Sequence, residues 1–218
     1  MEIVFKDEHI VVCIKPPNVL SEGDGERCMP KLLSCELEAQ GECNTGIFPV
    51  HRLDKETVGV MVYARTSAAA AALSRSIVDG NFKKKYLAVV HGTPKEEVAT
   101  LEDLLFFDRG RGQSFIVDRS RKGVKQAALD YSLVDSKNGL SLLEITLRTG
   151  RTHQIRAQLS HRSMPLVGDR RYGAPKSDAA TVTLLARQLC FPHPIFGEML
   201  SFIAPIPASY PWHSFEIH

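Results

Sequence analysis

His51-Arg52-Leu53-Asp54-Lys55-Glu56-Thr57-Val58-Gly59 runs without interruption into Val60-Met61-Val62-Tyr63-Ala64. A charged segment, a Thr-Val-Gly turn and an apolar run in sequence predict a loop held by a buried strand over residues 59–64. A carboxylate on such a loop, here Asp54, is a common place for single-residue chemistry. On its own an aspartate before a turn is more often a cap or a surface residue. Arg52 sits two positions earlier, and alternate residues of an extended chain share a face. Its positive charge would then keep Asp54 ionised as a nucleophile or base.

Working outward, residues 9–14 form a β-branched apolar run that Lys15-Pro16-Pro17 halts, a strand entering a loop. Residues 30–39 predict a short amphipathic helix with Leu32, Leu33 and Leu37 on one face. Thr66-Ser67 caps a second helix through the alanine-rich run to Val78, with Gly80 closing it. Residues 82–90 read as a strand ending at Gly92. Residues 93–125, dense in glycine and charge, read as irregular with a mobile loop. Strands follow at 127–134 and 140–147, joined at Lys137-Asn138-Gly139, where Asn-Gly is a strong hairpin signal. Residues 152–161 predict a helix burying Ile155 and Leu159, and a strand pair spans 183–202 before a proline-rich tail. Strands outnumber helices and one tight hairpin is evident. The expected class is therefore α+β, a mixed, largely antiparallel sheet flanked by helices, in a single domain over residues 1–218 without repeats.

The 218 residues can bury a substantial core, and 44% hydrophobic with 24% charged residues suits a soluble globular protein. The net charge is only +2, but its distribution is uneven. Residues 22–42 are rich in acid, whereas cations gather at Lys83-Lys84-Lys85, over 109–125 and over 148–171. Such clusters suit an acidic partner on one face, although charge runs are usually just solvated surface. Five cysteines without CxxC spacing fit reduced thiols in a cytoplasmic protein better than a zinc ribbon or disulfide scaffold. No export signal opens the chain, and no apolar run reaches the length of a membrane span.

Arg148-Thr149-Gly150-Arg151-Thr152-His153-Gln154-Ile155-Arg156 is a second polar block. An arginine near a helix start, as Arg151 is expected to be, gains nothing from the helix dipole. A carboxylate or phosphate partner would explain it, and so would a surface salt bridge. Tyr86 alternates with Ala88 and Val90 on one face of its strand, Lys85, Leu87 and Val89 on the other. Core packing is the ordinary role for such a tyrosine, and stacking on a planar base beside phosphate-holding lysines is the functional one. His51, His153 and His161 lack HExxH spacing, so a metal-dependent hydrolase is disfavoured. Neither a phosphate-binding GKS/GKT loop nor a Gly-x-Ser-x-Gly elbow is present, which disfavours a nucleotide cofactor and an α/β-hydrolase.

Taken together these blocks resemble the RluA family of RNA pseudouridine synthases. His51-Arg52-Leu53-Asp54 with Thr57 and Gly59 is similar to its HRLDxxTSG signature, with Val58 where serine is usual. The block from Arg148 to Arg156 resembles the second signature and continues into Pro165-Leu166-Val167-Gly168-Asp169 and Tyr172-Gly173. Further similarity lies in Val12-Cys13-Ile14-Lys15-Pro16-Pro17, Lys85-Tyr86-Leu87-Ala88, Phe191-Pro192-His193-Pro194 with Gly197, and Ala204-Pro205-Ile206-Pro207. A second departure is Leu185-Ala186, where a His-Ala pair is common. The match starts almost at Met1, so a short form without the S4 RNA-binding domain is expected.

The resemblance implies that Asp54 is the essential carboxylate acting at the ribose of a target uridine in ribosomal or transfer RNA. It implies that Arg151 pairs with Asp54, that Tyr86 packs against the uracil, and that Arg52 helps hold the RNA open. No cofactor is expected, since isomerisation needs no redox partner or group carrier. Flipping a base out of a stack costs a few kcal/mol, which phosphate contacts offset. Lys83, Lys84, Lys85 and Arg156 are the candidates for those contacts by charge and position. A monomer reading a compact stem-loop is expected, with residues 109–125 contributing. Deleting residues 110–122 is then expected to weaken RNA binding more than folding. A catalytically silent RNA-binding or ribosome-assembly factor is the competing reading.

Overall fold

The computed structural model describes residues 1–43 and 46–215. The described chain falls into two compact units, residues 1–84 with 185–205, and residues 85–184 with 206–218, the last three of which lie outside the described residues.

In the first unit, β1 (Glu2–Lys6) pairs antiparallel with β2 (Ile10–Lys15), and β2 with β4 (Val58–Ala64). β4 then pairs in parallel with β10 (Leu184–Pro192) through Val58 opposite Leu185 and Gly59 opposite Ala186. β11 (Met199–Ile203) closes a hairpin onto β10, and β3 (Phe48–Pro49) meets the far end of β4. β2 and β4 are apolar on both faces and nearly all their side chains are buried, as continuous Val/Ile/Met runs require.

Two helices belong to this unit. In α1 (Met29–Ala39) Pro30 starts the helix and Met29, Leu33 and Leu37 are buried, four residues apart; Leu32 is only half-buried. α2 (Ser67–Val78) is capped by the Thr66 hydroxyl, which accepts from the Ala69 N–H at 3.1 Å, and buries Ala69, Leu73 and Ser76.

The second unit holds an antiparallel array in the order β5 (Lys83–His91), β9 (Leu140–Leu147), β8 (Val124–Lys137), β6 (Val98–Asp108) and β7 (Gln113–Val117). β8 and β9 close over Asn138 (φ 54°) and Gly139 (φ 75°), the left-handed pair a two-residue hairpin needs. Against this sheet lies α3 (Gln154–His161), whose Ala157 packs with Leu105, Ala127 and Tyr172.

The expectation of an irregular stretch over 93–125 is corrected here. Residues 98–108 and 113–117 are strands and β8 begins at Val124, so only 93–97, 109–112 and 118–123 lie outside strands. Apolar residues stand next to one another on both faces here, as in Leu104-Leu105-Phe106-Phe107 and Phe115-Ile116-Val117, so no alternation is visible along the sequence. Deleting residues 110–122 would remove β7 and cannot separate binding from folding.

Candidate functional site

Asp54 lies in the first unit on the bend and turn that lead into β4, and its side chain is half-buried. The backbone is tied down on both sides of it. Ser21 Oγ donates to the Leu53 carbonyl at 2.5 Å and accepts the Leu53 N–H at 3.0 Å. Tyr63 in β4 fixes that serine segment in turn, its hydroxyl donating to the Ser21 carbonyl at 2.8 Å. On the other side, buried Lys15 donates from Nζ to the carbonyls of Lys55 (3.0 Å), Val19 (2.8 Å) and Pro16 (2.9 Å). The Asp54 carbonyl itself accepts the Thr57 N–H at 3.0 Å, closing the turn. An ammonium surrounded by carbonyls is well satisfied, yet burial still pushes Lys15 down to about 8, against the opposing pull of the Glu56 and Asp54 charges.

The loop enters β4 through Gly59. Its φ is +141°, and a Cβ there would stand 2.4 Å from the Ala186 carbonyl oxygen, so only glycine fits. The residue before it, Val58, is the register partner of Leu185 on β10. Thus the two positions at which the sequence departs from the usual pattern face each other on neighbouring strands.

His51 anchors the start of the loop. Its Nε2 accepts the Val62 N–H at 3.1 Å, and its ring meets Phe82 edge-on with centroids 5.2 Å apart. Burial, and secondarily the Lys84 charge, hold His51 well below the usual histidine range, so the ring is neutral with its proton on Nδ1. Arg52 makes its ion pair with Glu22 at 3.3 Å, both side chains largely exposed. The alternation that placed Arg52 and Asp54 on one face does not apply, because residues 51–57 form no strand.

Tyr86 and Arg151 belong to the second unit. Tyr86 is buried on β5, opposite Ile145 of β9. Both faces of β5 are buried between Tyr86 and Val90, so alternation does not separate a core face from an outer one. Arg151 stands three residues before α3, which begins at Gln154 instead of Thr152 because His153 takes a left-handed conformation (φ 52°). Gln154 organises the turn: its Oε1 accepts from the Arg151 N–H (3.0 Å) and the Thr149 hydroxyl (2.8 Å), while its Nε2 donates to Ala128 O (3.0 Å). The Arg151 guanidinium donates from Nε to the Gln126 carbonyl at 2.9 Å. Tyr172 supports the same turn. Its hydroxyl accepts the Ser114 N–H at 2.8 Å and lies 3.0 Å from His153 Nδ1, and Ser114 Oγ donates to Thr152 O at 2.6 Å.

One phosphate-contact candidate is corrected. Arg156 is only 2% exposed and makes a two-pronged ion pair with Asp169, Nε to Oδ2 at 2.7 Å and Nη2 to Oδ1 at 2.8 Å, over the Tyr172 ring. Planar, paired and dry, it is a structural arginine. The three lysines differ among themselves. Lys83 is exposed; Lys84 is half-buried with Nζ 5.2 Å from the Phe82 ring centroid, and burial pushes it down to about 8. Lys85 makes an exposed ion pair with Glu144 at 2.9 Å. A surface pair of that kind contributes little and leaves the ammonium available.

Lys15, Ser21 and Gln154 carry the geometry and were not singled out in the sequence. Lys15 carried a signal in its Lys-Pro-Pro context, since a lysine ending an apolar strand often buries its stem. Nothing in the sequence marked Ser21.

The family model described as RNA pseudouridylate synthase matches residues 9–161, well over half of the chain. This chain belongs to the RNA pseudouridylate synthase family. Among its relatives is an uncharacterized RNA pseudouridine synthase of Synechocystis, 33% identical over 220 residues, covering 96% of this chain and 67% of the relative. The ribosomal large subunit pseudouridine synthase D of Zymomonas mobilis is 33% identical, with 95% and 69% covered. The dual-specificity RNA pseudouridine synthase RluA of Pasteurella multocida is 33% identical, with 94% and 93% covered. Of solved structures, human RNA pseudouridylate synthase domain containing 4 superposes with a TM-score of 0.79 at 25% identity, over 94% of this chain and 88% of that one. Pseudouridylate synthases isomerise uridine within RNA, and this chain's α+β fold, with three α-helices among the described residues, is similar to that of the solved synthase domain.

Proposed function

We propose that this pseudouridylate synthase converts particular uridines of a ribosomal or transfer RNA stem-loop into pseudouridine, with Asp54 as the essential carboxylate. The observation that carries the reading is the double backbone clamp around Asp54. Ser21 holds the residue before it and Lys15 the residue after it. A carboxylate fixed in position but half-exposed is pre-organised for a reacting ribose, because little ordering remains to be done in the transition state.

In this reading Asp54 acts at the ribose, the glycosidic bond opens, and the uracil turns and rejoins through carbon. Tyr86 offers its ring to the uracil, and Arg151 favours the charged form of the reacting carboxylate. Arg52, with Lys83, Lys84 and Lys85, holds phosphates near the extruded nucleotide. The reaction is redox-neutral and transfers no group between molecules, so these side chains are sufficient participants.

The test incubates purified protein with total cellular RNA and maps new pseudouridines. Wild type is expected to mark a small set of sites, and Asp54→Asn to mark none while melting at the wild-type temperature. An identical map from both proteins refutes the role of Asp54 and favours a silent RNA-binding factor.

A further inference from the structure

Phe106 of β6 and Phe115 of β7 stand directly opposite each other in the antiparallel register. Opposed residues project to the same face of a sheet. The next pair along, Leu105 and Ile116, projects the other way and joins the core formed with Ala127, Ala157 and Tyr172. The hairpin therefore has an inner face that packs and an outer face that carries two phenyl rings. Each ring bears an arginine: Arg121 Cζ lies 5.0 Å from the Phe106 centroid, and Arg111 Cζ lies 5.8 Å from the Phe115 centroid. Both arginines are exposed and both rings are half-buried.

The surrounding loops are held in place. Asp108 Oδ1 accepts the N–H groups of Gly110 (2.9 Å) and Arg111 (3.1 Å). Arg171 donates from Nη1 to Gly112 O at 2.8 Å, and Gln113 Nε2 donates to Arg171 O at 3.0 Å. On the other side, the turn at Gly123 borders the Phe106 ring, where an added Cβ would make an ordinary van der Waals contact at 3.5 Å. Residues 109–125 contain Arg109, Arg111, Arg119, Arg121, Lys122 and Lys125 against Asp118 alone, so six cations less one acid give +5 in a chain whose total is +2. A guanidinium lying on a ring has lost part of its rotamer freedom before binding and still presents its N–H edge, which suits phosphate oxygens.

We propose that the outer face of the β6–β7 hairpin is an additional RNA-contact surface, in which ring-stacked Arg111 and Arg121 grip backbone phosphates. It rests on the reading of this protein as an RNA-modifying enzyme and assigns the RNA a second hold, on the sheet face away from α3. Density and sign of charge select a polyanion, and the planar stacked groups also accept an unpaired base.

The experiment measures anisotropy of a fluorescein-labelled RNA stem-loop against full-length protein across a KCl series. Arg111→Ala/Arg121→Ala is expected to raise Kd about tenfold at 0.15 M salt and to reduce the slope of log K against log salt by roughly 1.4–1.8, two phosphate contacts' worth. Arg111→Lys/Arg121→Lys is expected to keep the wild-type slope and bind several-fold more weakly. An unchanged melting temperature establishes that both variants fold. Unaltered Kd and slope in the alanine pair overturn the proposal, as does a wild-type preference for polyglutamate over the stem-loop that those arginines control. Full wild-type affinity in the lysine pair overturns the stacking. Mapping pseudouridines with wild type and Asp54→Asn separates the two readings. If isomerisation persists and the arginines prove silent, only this surface falls; if wild type makes no pseudouridine but the slope drops, only the catalytic reading falls.

Discussion

His51 shows how much one side chain of the Asp54 loop depends on its protonation state. Its Nε2 accepts a backbone N–H from β4, and an imidazolium has no lone pair left to do so. Because burial lowers its folded pKa well below 6.5, the unfolded chain takes up a proton first as pH falls. Stability is therefore intact above about 6.5 and is lost progressively below it, until the folded pKa is reached. Urea titrations at pH 7 and pH 5 are expected to show that wild type loses about 2 kcal/mol more than His51→Gln between those values. A glutamine amide keeps an acceptor at this position without a titration, so parallel losses in the two proteins would remove His51 as the acid-sensitive group. Arg156 makes a complementary point at this scale. By charge and position alone it resembles a phosphate ligand, and only its burial against Asp169 distinguishes it from the exposed arginines of β6–β7.

At the scale of elements, the pairing of β4 with β10 is the tightest constraint beneath the loop. Ala is expected to be badly tolerated at Gly59, since the new Cβ would meet Ala186 backbone and adopt a positive φ; a loss of about 3 kcal/mol is expected from strain and overpacking together. Gly25→Ala, where nothing lies within 4 Å, is the matched control and is expected to be silent in the same denaturation assay. The strands with continuous apolar runs and the helices with a strong cap or apolar spacing were legible from sequence: β2, β4, β9 and α2 fall close to their expected bounds. β6 and β7 were not, because runs such as Leu104-Leu105-Phe106-Phe107 put apolar residues on both faces and erase the alternation that marks a half-solvated strand. The start of α3 was misplaced by two residues because a left-handed His153 is invisible in a sequence that otherwise favours helix. Likewise Val58 and Leu185 read as two unrelated departures until the parallel register set them opposite each other.

Across the whole molecule, charge is partitioned rather than abundant. The chain sums to +2, yet one seventeen-residue stretch holds +5, so the remainder is net acidic. Composition could report only the sum, and the motif blocks only the order of the polar segments; which cations face solvent needed coordinates. Local opening of the fold has a chemical reporter as well. Lys15 is fully buried, its amine enclosed by three carbonyls, while most other lysines lie on the surface. An acylating reagent can reach Nζ only when the segment around residues 15–21 and the Asp54 turn part company. Peptide mass spectrometry of a timed acetylation is expected to find Lys15 the slowest lysine to react, and labelling as fast as at Lys83 would show that the enclosure does not persist in solution. The rate at that one amine would then be a clock for how often the Asp54 turn comes undone, readable with no RNA in the tube.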